Sequence, residues 1–495
     1  MNIILSKEKI NYSLLLFISF INLFFLGMTS FLGMPLQTVV IFSVLLIIVF
    51  VQVRLLQSDQ NKKDYVRDKL VFLVMTPIFL SCFQNVIYAL FSNNMSSTQL
   101  QLLLSLNFII AITEMLIFSV NLKFKLNSIY FYIFTLLVFL ALYAMLMSLY
   151  FNPDILAAIS SFRNILSPFI FSLLGMASSK FCRSKNMAKG IAFLSMIVFF
   201  IGIYELYLDN QFWTNLNLSG LWQKKGISTF ANGLPGNFFS SETINGNPLR
   251  RMVSSFADPI NLGTFLFGAF VCCYYLKKRY CMICLGIGCI LVVSKGTMLG
   301  FMVFLVVWFY YKMPKKYFIT MMLLMFATGI ILLIYMFHFS SGSVFLHIRG
   351  LVISFIEMFY YPFGRGVGKV GVLSNLFSQN IGITNILSEN FLFWWEPEFL
   401  RGATTNIAET GLGMIIGQLG FFGLVVYMMF FYKLVKYSSL LKEETQKIVC
   451  LTLIISIFLN ILFNEVALSP NSCAVYFLVT GMILGESDRG RMVKK

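Results

Sequence analysis

Charge is scarce in this chain of 495 residues: Asp, Glu, Lys and Arg together make up 12% of it, about half of the roughly 25% typical of soluble globular domains. That excludes an ordinary water-soluble enzyme. Acids are scarcer than bases, 20 against 37, and histidine is almost missing, with only His338 and His347. Isolated histidines more often make structural hydrogen bonds than act as bases. None of the nine cysteines falls in the two longest polar segments, so nothing suggests a disulfide framework. Cys281 and Cys284 form a C-x-x-C inside an apolar run, without a second pair or a nearby His, and read as small packing residues. Neither polar segment contains D-x-D, and neither is low in complexity.

What fills the sequence is apolar. Hydrophobic residues make up 58% and mean hydropathy is +0.83, with runs of about 20 residues, the length needed to cross a hydrocarbon core roughly 30 Å thick. The chain reads as all-α, a polytopic integral membrane protein forming one membrane domain over 1–495, with about 14 transmembrane helices. The spans fall near 12–33, 36–56, 70–91, 102–122, 128–151, 165–179, 190–208, 259–276, 281–294, 297–311, 317–338, 411–432, 448–465 and 471–485. The first follows Lys7 and Lys9 but is longer than a signal h-region and lacks a small-residue cleavage site, so it is expected to stay as an anchor.

The net charge of +17 raises the question of an acidic partner, and the position of the charges answers it. With a cytoplasmic N-terminus, all but ten of the 37 Lys and Arg fall in the alternate loops on the cytoplasmic side, where cations are retained during insertion. Both termini are therefore expected in the cytoplasm, and no nucleic acid is needed. The ten on the outer side are Arg163, Lys224, Lys225, Arg250, Arg251, Lys295, Arg349, Arg365, Lys369 and Arg401. Six are arginines, whose planar fork grips phosphate bidentately, or which pair instead with Glu389, Glu396, Glu398 or lipid headgroups.

Two large outer loops remain, 209–258 and 339–410, the second with an apolar stretch near 351–361 that suits an interfacial helix. Both interleave aromatics with Asn, Gln and acids, a composition that fits sugar rings as well as it fits anchoring at a membrane interface. Two acids lie within the spans. Glu205 sits near an outer interface where water can reach it, whereas Glu114 is deeper and must be protonated, paired or facing a cavity.

Three motifs follow in order. The stretch R-M-V-S-S-F-A-D-P-I-N-L-G, Arg251 to Gly263, puts an arginine above a helix start that Asp258 can cap. Ser294-Lys295-Gly296 interrupts two apolar runs. Arg349 then precedes P-F-G-R-G-V-G (Pro362 to Gly368), Glu409-Thr410-Gly411 and Gly420-x-x-Gly423. The glycines either let backbone amides approach a phosphate or form a tight turn.

This order resembles the O-antigen polymerase/O-antigen ligase superfamily, over about 190–440. Its R-x(7)-P-x-N element matches Arg251, Pro259 and Asn261; its outer S-[RK]-[GS] element matches Ser294, Lys295 and Gly296; its glycine-rich element matches Gly364, Gly366 and Gly368. Where ligases carry a His before the G-x-x-G, this chain has Glu409, the pattern of Wzy-type polymerases. The resemblance implies a glycosyltransferase of the bacterial cytoplasmic (inner) membrane, serving lipopolysaccharide or other surface polysaccharide biosynthesis. It would join polyprenyl-pyrophosphate-linked repeat units at the outer face, with no cofactor and no metal.

On that reading Arg251, Arg349 and Glu409 are catalytic, the arginines on pyrophosphate and Glu409 as general base or, equally, only a carboxylate at a helix start. Lys295, Arg250, Asp258, Asn261, Arg365 and Arg401 contact substrate. Partners are the lipid-linked donor and acceptor, membrane lipid and a chain-length regulator protein. The rivals are a flippase or secondary transporter for lipid-linked oligosaccharide, and the ligase. Transporters place substrate groups in broken helices near the midplane and show internal repeats, and no convincing repeat is present here.

Overall fold

The computed structural model describes residues 63–91, 103–121, 128–151, 153, 155–224, 229–230, 232–244, 247–314, 317, 350–352, 354–356, 358–371 and 410–492. The described residues are mostly helical, 83%. The principal helices are α1 (Lys63–Phe91), α2 (Leu106–Asn121), α3 (Ser128–Phe151), α4 (Ile155–Ser178), α5 (Ser184–Ile203, extended by a π-helical turn, Tyr204–Leu208), α6 (Pro259–Tyr275), α7 (Arg279–Leu291), α8 (Lys295–Lys312), α9 (Gly411–Ser439), α10 (Glu444–Phe463) and α11 (Pro470–Met492). Six of them, α1, α3, α4, α5, α9 and α10, are long and apolar enough to cross a membrane. The protein is a multi-pass helical membrane protein.

Several expectations change in detail. The spans expected at 12–33, 36–56 and 317–338 lie outside the described residues. The span expected at 165–179 begins ten residues earlier, as α4, so Arg163 lies inside a helix rather than in an outer loop. Its guanidinium donates to the Leu104 carbonyl at 3.0 Å and to Asn164 Oδ1 at 3.3 Å. α7 has only 13 residues, too few at 1.5 Å each to span a 30 Å core unless the bilayer thins around it. The fold is helical as expected, with one addition: loop 209–258 carries two short helices, Phe212–Asn215 and Leu218–Lys224, and an antiparallel hairpin, β1 (Phe239–Ile244) with β2 (Asn247–Arg250). Loop 339–410 contributes an apolar helix over Gly350–Tyr360 that runs through residues outside the described set; it leaves Phe359 81% exposed, as an interfacial helix would.

α4 and α11 form the heart of the bundle. A Cβ on Gly175 would strike the Leu478 carbonyl, and one on Gly481 the Ser172 carbonyl, so small residues let the two backbones approach, the usual means of helix association in lipid. Around this pair Phe169, Phe430 and Phe477 fill the core, with the Phe169 and Phe430 rings 4.2 Å apart.

Helices alternate in direction from α4 to α8 and again from α9 to α11, while α8 and α9 both start at the same end. Ser184 at the start of α5 meets Glu486 late in α11 and Tyr275 at the end of α6, and Lys312 at the end of α8 meets Glu444 at the start of α10. These contacts mark a basic end, where the loops rich in Lys and Arg gather. At the opposite end the starts of α6, α8, α9 and α11 meet the finish of α10.

Candidate functional site

The motif end is assembled on the start of α6. Asp258 is extended (φ −154°, ψ 118°), Pro259 opens the helix, and the Asp258 carboxylate accepts from the Ile260 amide at 3.2 Å, as the D-P start predicts. Asn261 donates to the other Asp258 oxygen. Its own carbonyl oxygen accepts from Ser469 Oγ at 2.9 Å and Ser472 Oγ at 2.7 Å. Asp258 and Asn261 are both buried, and their polar atoms are spent on tying α6 to the start of α11. Burial pushes the Asp258 carboxyl up from its ordinary value; the Ile260 amide, the positive Arg251 and Asn261 pull it back.

Arg251 hangs between loop one and the α7–α8 connection. Its Nε donates to the Val292 carbonyl at 3.0 Å and an Nη to the Asn237 carbonyl at 3.4 Å. The backbone repeats the attachment: the Arg251 amide donates to Phe238 O at 2.9 Å and the Met252 amide to Leu291 O at 3.0 Å. Two motifs far apart in sequence thus meet, because Val292 leads into Ser294-Lys295-Gly296. Lys295 is exposed as the first residue of α8. The Gly296 carbonyl accepts from Asn460 Nδ2 at 3.3 Å, and the Gly263 Cα lies so close to Thr297 that a Cβ there would overlap its hydroxyl.

The backbone around these residues is strained. Ser254 (φ 47°), Ala257 (φ 51°) and Val293 (φ 50°) are left-handed without being glycine. A β-branched residue there is a true outlier, and such strain gathers where surrounding structure fixes a functional geometry.

The next residue back, Arg250, is committed elsewhere. Its guanidinium pairs with the buried Glu205 in the π-helical turn after α5 and lies 4.6 Å from the Phe238 ring centroid. Burial draws the guanidinium below its ordinary value and Glu205 opposes the shift. Glu205 is therefore 1% exposed and paired, not solvated at an interface. Beside it an apolar groove of about 400 Å³ opens between α1 and α5, lined by Phe83, Val86, Phe200, Tyr204, Phe212 and Ser255 among others.

The glycine-rich motif has a structural job. The Arg365 amide donates to Gly417 O at 2.9 Å, Gly366 to Gln418 O at 3.0 Å and Gly368 to Gln418 Oε1 at 3.2 Å, while the Phe421 amide returns to Pro362 O at 2.8 Å. α9 breaks at Gly420 (φ 61°, ψ −150°) to receive this loop. P-F-G-R-G-V-G and the later G-x-x-G are two halves of one joint, and these amides are spent within the protein rather than aimed at a phosphate. Arg365 lies with its guanidinium 4.6 Å from the Tyr361 ring centroid. The loop ends at Gly371, packed on Glu465 and Met414, and the turn Glu465–Leu468 leads to Ser469, so the joint reaches the α6 site through the α10–α11 connection.

Three site residues, Arg349, Arg401 and Glu409, lie outside the described residues. Thr410, the next after Glu409, caps α9 by accepting from the Gly413 amide at 3.0 Å. Sequence reading passed over the amide cluster behind the site. Gln84 and Asn107 both donate to Asn471 Oδ1, at 3.0 and 2.9 Å, and Asn85 donates to Phe256 O at 2.5 Å. The available signal was polar residues interrupting apolar runs. Glu114, in α2, is 1% exposed and neither carboxyl oxygen has a hydrogen-bond partner among the described residues. Among the described residues no three His, Cys, Asp or Glu gather to hold a metal.

The chain matches no family model, and no curated protein is significantly similar to it.

Proposed function

We propose that the protein is a glycan polymerase of the O-antigen polymerase type, joining polyprenyl-pyrophosphate-linked repeat units at the outer face of a bacterial cytoplasmic membrane. The observation that carries this reading is the bond from Arg251 to Val292, just before Ser294-Lys295-Gly296, where the starts of α6 and α8 pack together at Gly263 and Thr297. Two cations stand there beside helix N-termini, whose amide dipoles favour anions. The full reading has about fourteen spans, both termini cytoplasmic, and the motif end outside.

In the reaction, a hydroxyl of the acceptor sugar attacks the anomeric carbon of the donor glycan. A new C–O bond forms, the bond from that carbon to pyrophosphate oxygen breaks, and the electron pair leaves on pyrophosphate. Arg251 and Arg349 stabilise the growing negative charge and Lys295 adds to the field. Glu409 takes the hydroxyl proton. The apolar groove of about 400 Å³ beside Tyr204 suits part of an isoprenoid chain. Asp258, Asn261, Arg250 and Arg365 shape the site from behind, while Arg401 is assigned to the glycan.

Purified protein incubated with a defined polyprenyl-pyrophosphate repeat unit, without added metal, tests this directly. Elongated lipid-linked product is expected, and Arg251→Lys should lower its rate about 100-fold at equal protein abundance, since lysine lacks the fork. Transfer only to lipid A core would identify a ligase. Translocation without a new linkage would identify a flippase, the second reading, which Glu114, buried and without a partner among the described residues, favours because a proton-coupled carrier needs such an acid.

A further inference from the structure

Five consecutive residues around Arg251 are each held by a separate bond. Arg250 is paired with Glu205. The amides of Arg251 and Met252 donate to Phe238 O and Leu291 O. The amides of Val253 and Ser254 donate to Glu205 Oε2 at 3.3 and 3.4 Å, and Ser254 Oγ adds a bond to Val198 O at 2.5 Å. Glu205 thus grips the chain on both sides of Arg251, one carboxylate oxygen before it and the other after it.

The energetics make this grip hard to explain as mere stability. A buried ion pair gives back in attraction little more than its two charges lose in leaving water, and apolar residues of similar volume often serve as well or better. Here the apolar option lies at hand, among Phe238, Phe239, Phe212 and the groove beside Tyr204. The carboxylate also sits in a π-helical turn, a rare geometry that recurs at functional sites. What an apolar replacement could not supply is two acceptors aimed at the Arg250 fork and at two consecutive amides.

We infer that Glu205 is a positioning residue for Arg251: with Arg250 it fixes the strained turn 250–254 so that the Arg251 guanidinium stays beside the start of α8. The inference rests on the polymerase reading only in taking pyrophosphate as what Arg251 meets. Glu205 touches no substrate and carries no proton in the reaction.

The test is a mutant cycle read by binding of sugar-free polyprenyl pyrophosphate to the full-length protein in nanodiscs. Glu205→Gln should weaken binding about tenfold in the wild-type background but less than twofold in an Arg251→Ala background, because Glu205 acts only through Arg251. Equal weakening in both backgrounds, the mark of a general structural role, would overturn the inference, as would no weakening in the first. Where Glu205→Gln fails to accumulate, Arg250→Lys replaces it in the same cycle, since it keeps the charge but not the fork, and the same two outcomes decide. Hydrogen exchange at the Val253 and Ser254 amides should rise in Glu205→Gln, and unchanged exchange overturns the grip itself. A wild type that binds polyprenyl pyrophosphate but elongates nothing refutes the polymerase and leaves the cycle to decide on Glu205. A wild type that does not bind it at all overturns both.

Discussion

The two ends of the bundle handle charge in opposite ways. At the basic end Lys312 and Glu444 pair at 2.8 Å with both side chains more than 40% exposed, and Lys433 and Lys447 lie over Tyr132 and Tyr311. Such cations stay solvated, and their number matters more than their exact place. At the motif end Arg250 pairs with the buried Glu205, Arg251 is fastened to two backbone carbonyls, and neutral amides and hydroxyls do most of the joining. A charge that only reports insertion can sit in water; a charge that does work must be held. Cations at the two ends thus differ in how firmly the fold holds them, whatever each adds to the net +17.

The contrast implies that damage at the motif end costs more. Gly420→Val should be the severest case. Its left-handed φ suits only glycine, and a Cβ there would overlap the Pro362 carbonyl and separate α9 from its loop. A loss of about 3 kcal/mol is expected, seen as a large fall in monodisperse protein after detergent extraction. Next comes Asn261→Ala, which strands the Ser469 and Ser472 hydroxyls and one Asp258 oxygen. About 2 kcal/mol should be lost, measured as a lower midpoint of thermal unfolding. A variant at either position that unfolds like wild type would erase the distinction between the ends.

How much of this was readable beforehand depended on whether the cause was local. Apolar runs and loop charge are local, and they disclosed a multi-pass helical membrane protein, the Asp258 cap and the candidate arginines. Partnerships across the fold were not readable. Nothing near Gly364 says that the amides of Arg365, Gly366 and Gly368 would be taken by distant Gly417 and Gln418. Nothing near Glu205 names Arg250, because the choice between solvation and pairing depends on how loop one folds back. The hairpin was missed because β1, in F-S-S-E-T-I, has too little alternation to stand out from the surrounding loop. The α4 start was misplaced because Arg163 and Ser161 look like loop residues until Leu104, just before α2, and Gln418 of α9 supply their partners.

The basic end supplies the smaller effects. Glu486 caps α5 across the bundle, accepting from the Ser184 amide at 2.5 Å and its hydroxyl at 2.6 Å, where Arg183 makes no side-chain cap of its own. Glu486→Ala should cost about 1 kcal/mol, the usual worth of an N-cap, again read from thermal unfolding. Lys312→Ala should cost least, about 0.5 kcal/mol or less, since exposed ion pairs return little of the entropy spent holding two long side chains together. Salt separates the two ends more sharply than either number. The Lys312–Glu444 attraction acts through water and fades as the Debye length falls from about 10 Å at 0.1 M to about 3 Å at 1 M, so the variant and wild type should converge at high salt. The Glu205–Arg250 pair, with Glu205 1% and the Arg250 side chain 23% exposed, is screened much less, and most of the difference between wild type and Glu205→Gln should persist across the same range. A buried pair whose contribution vanished with salt would have to be open to water, and the contrast between a solvated end and a held end would then be lost.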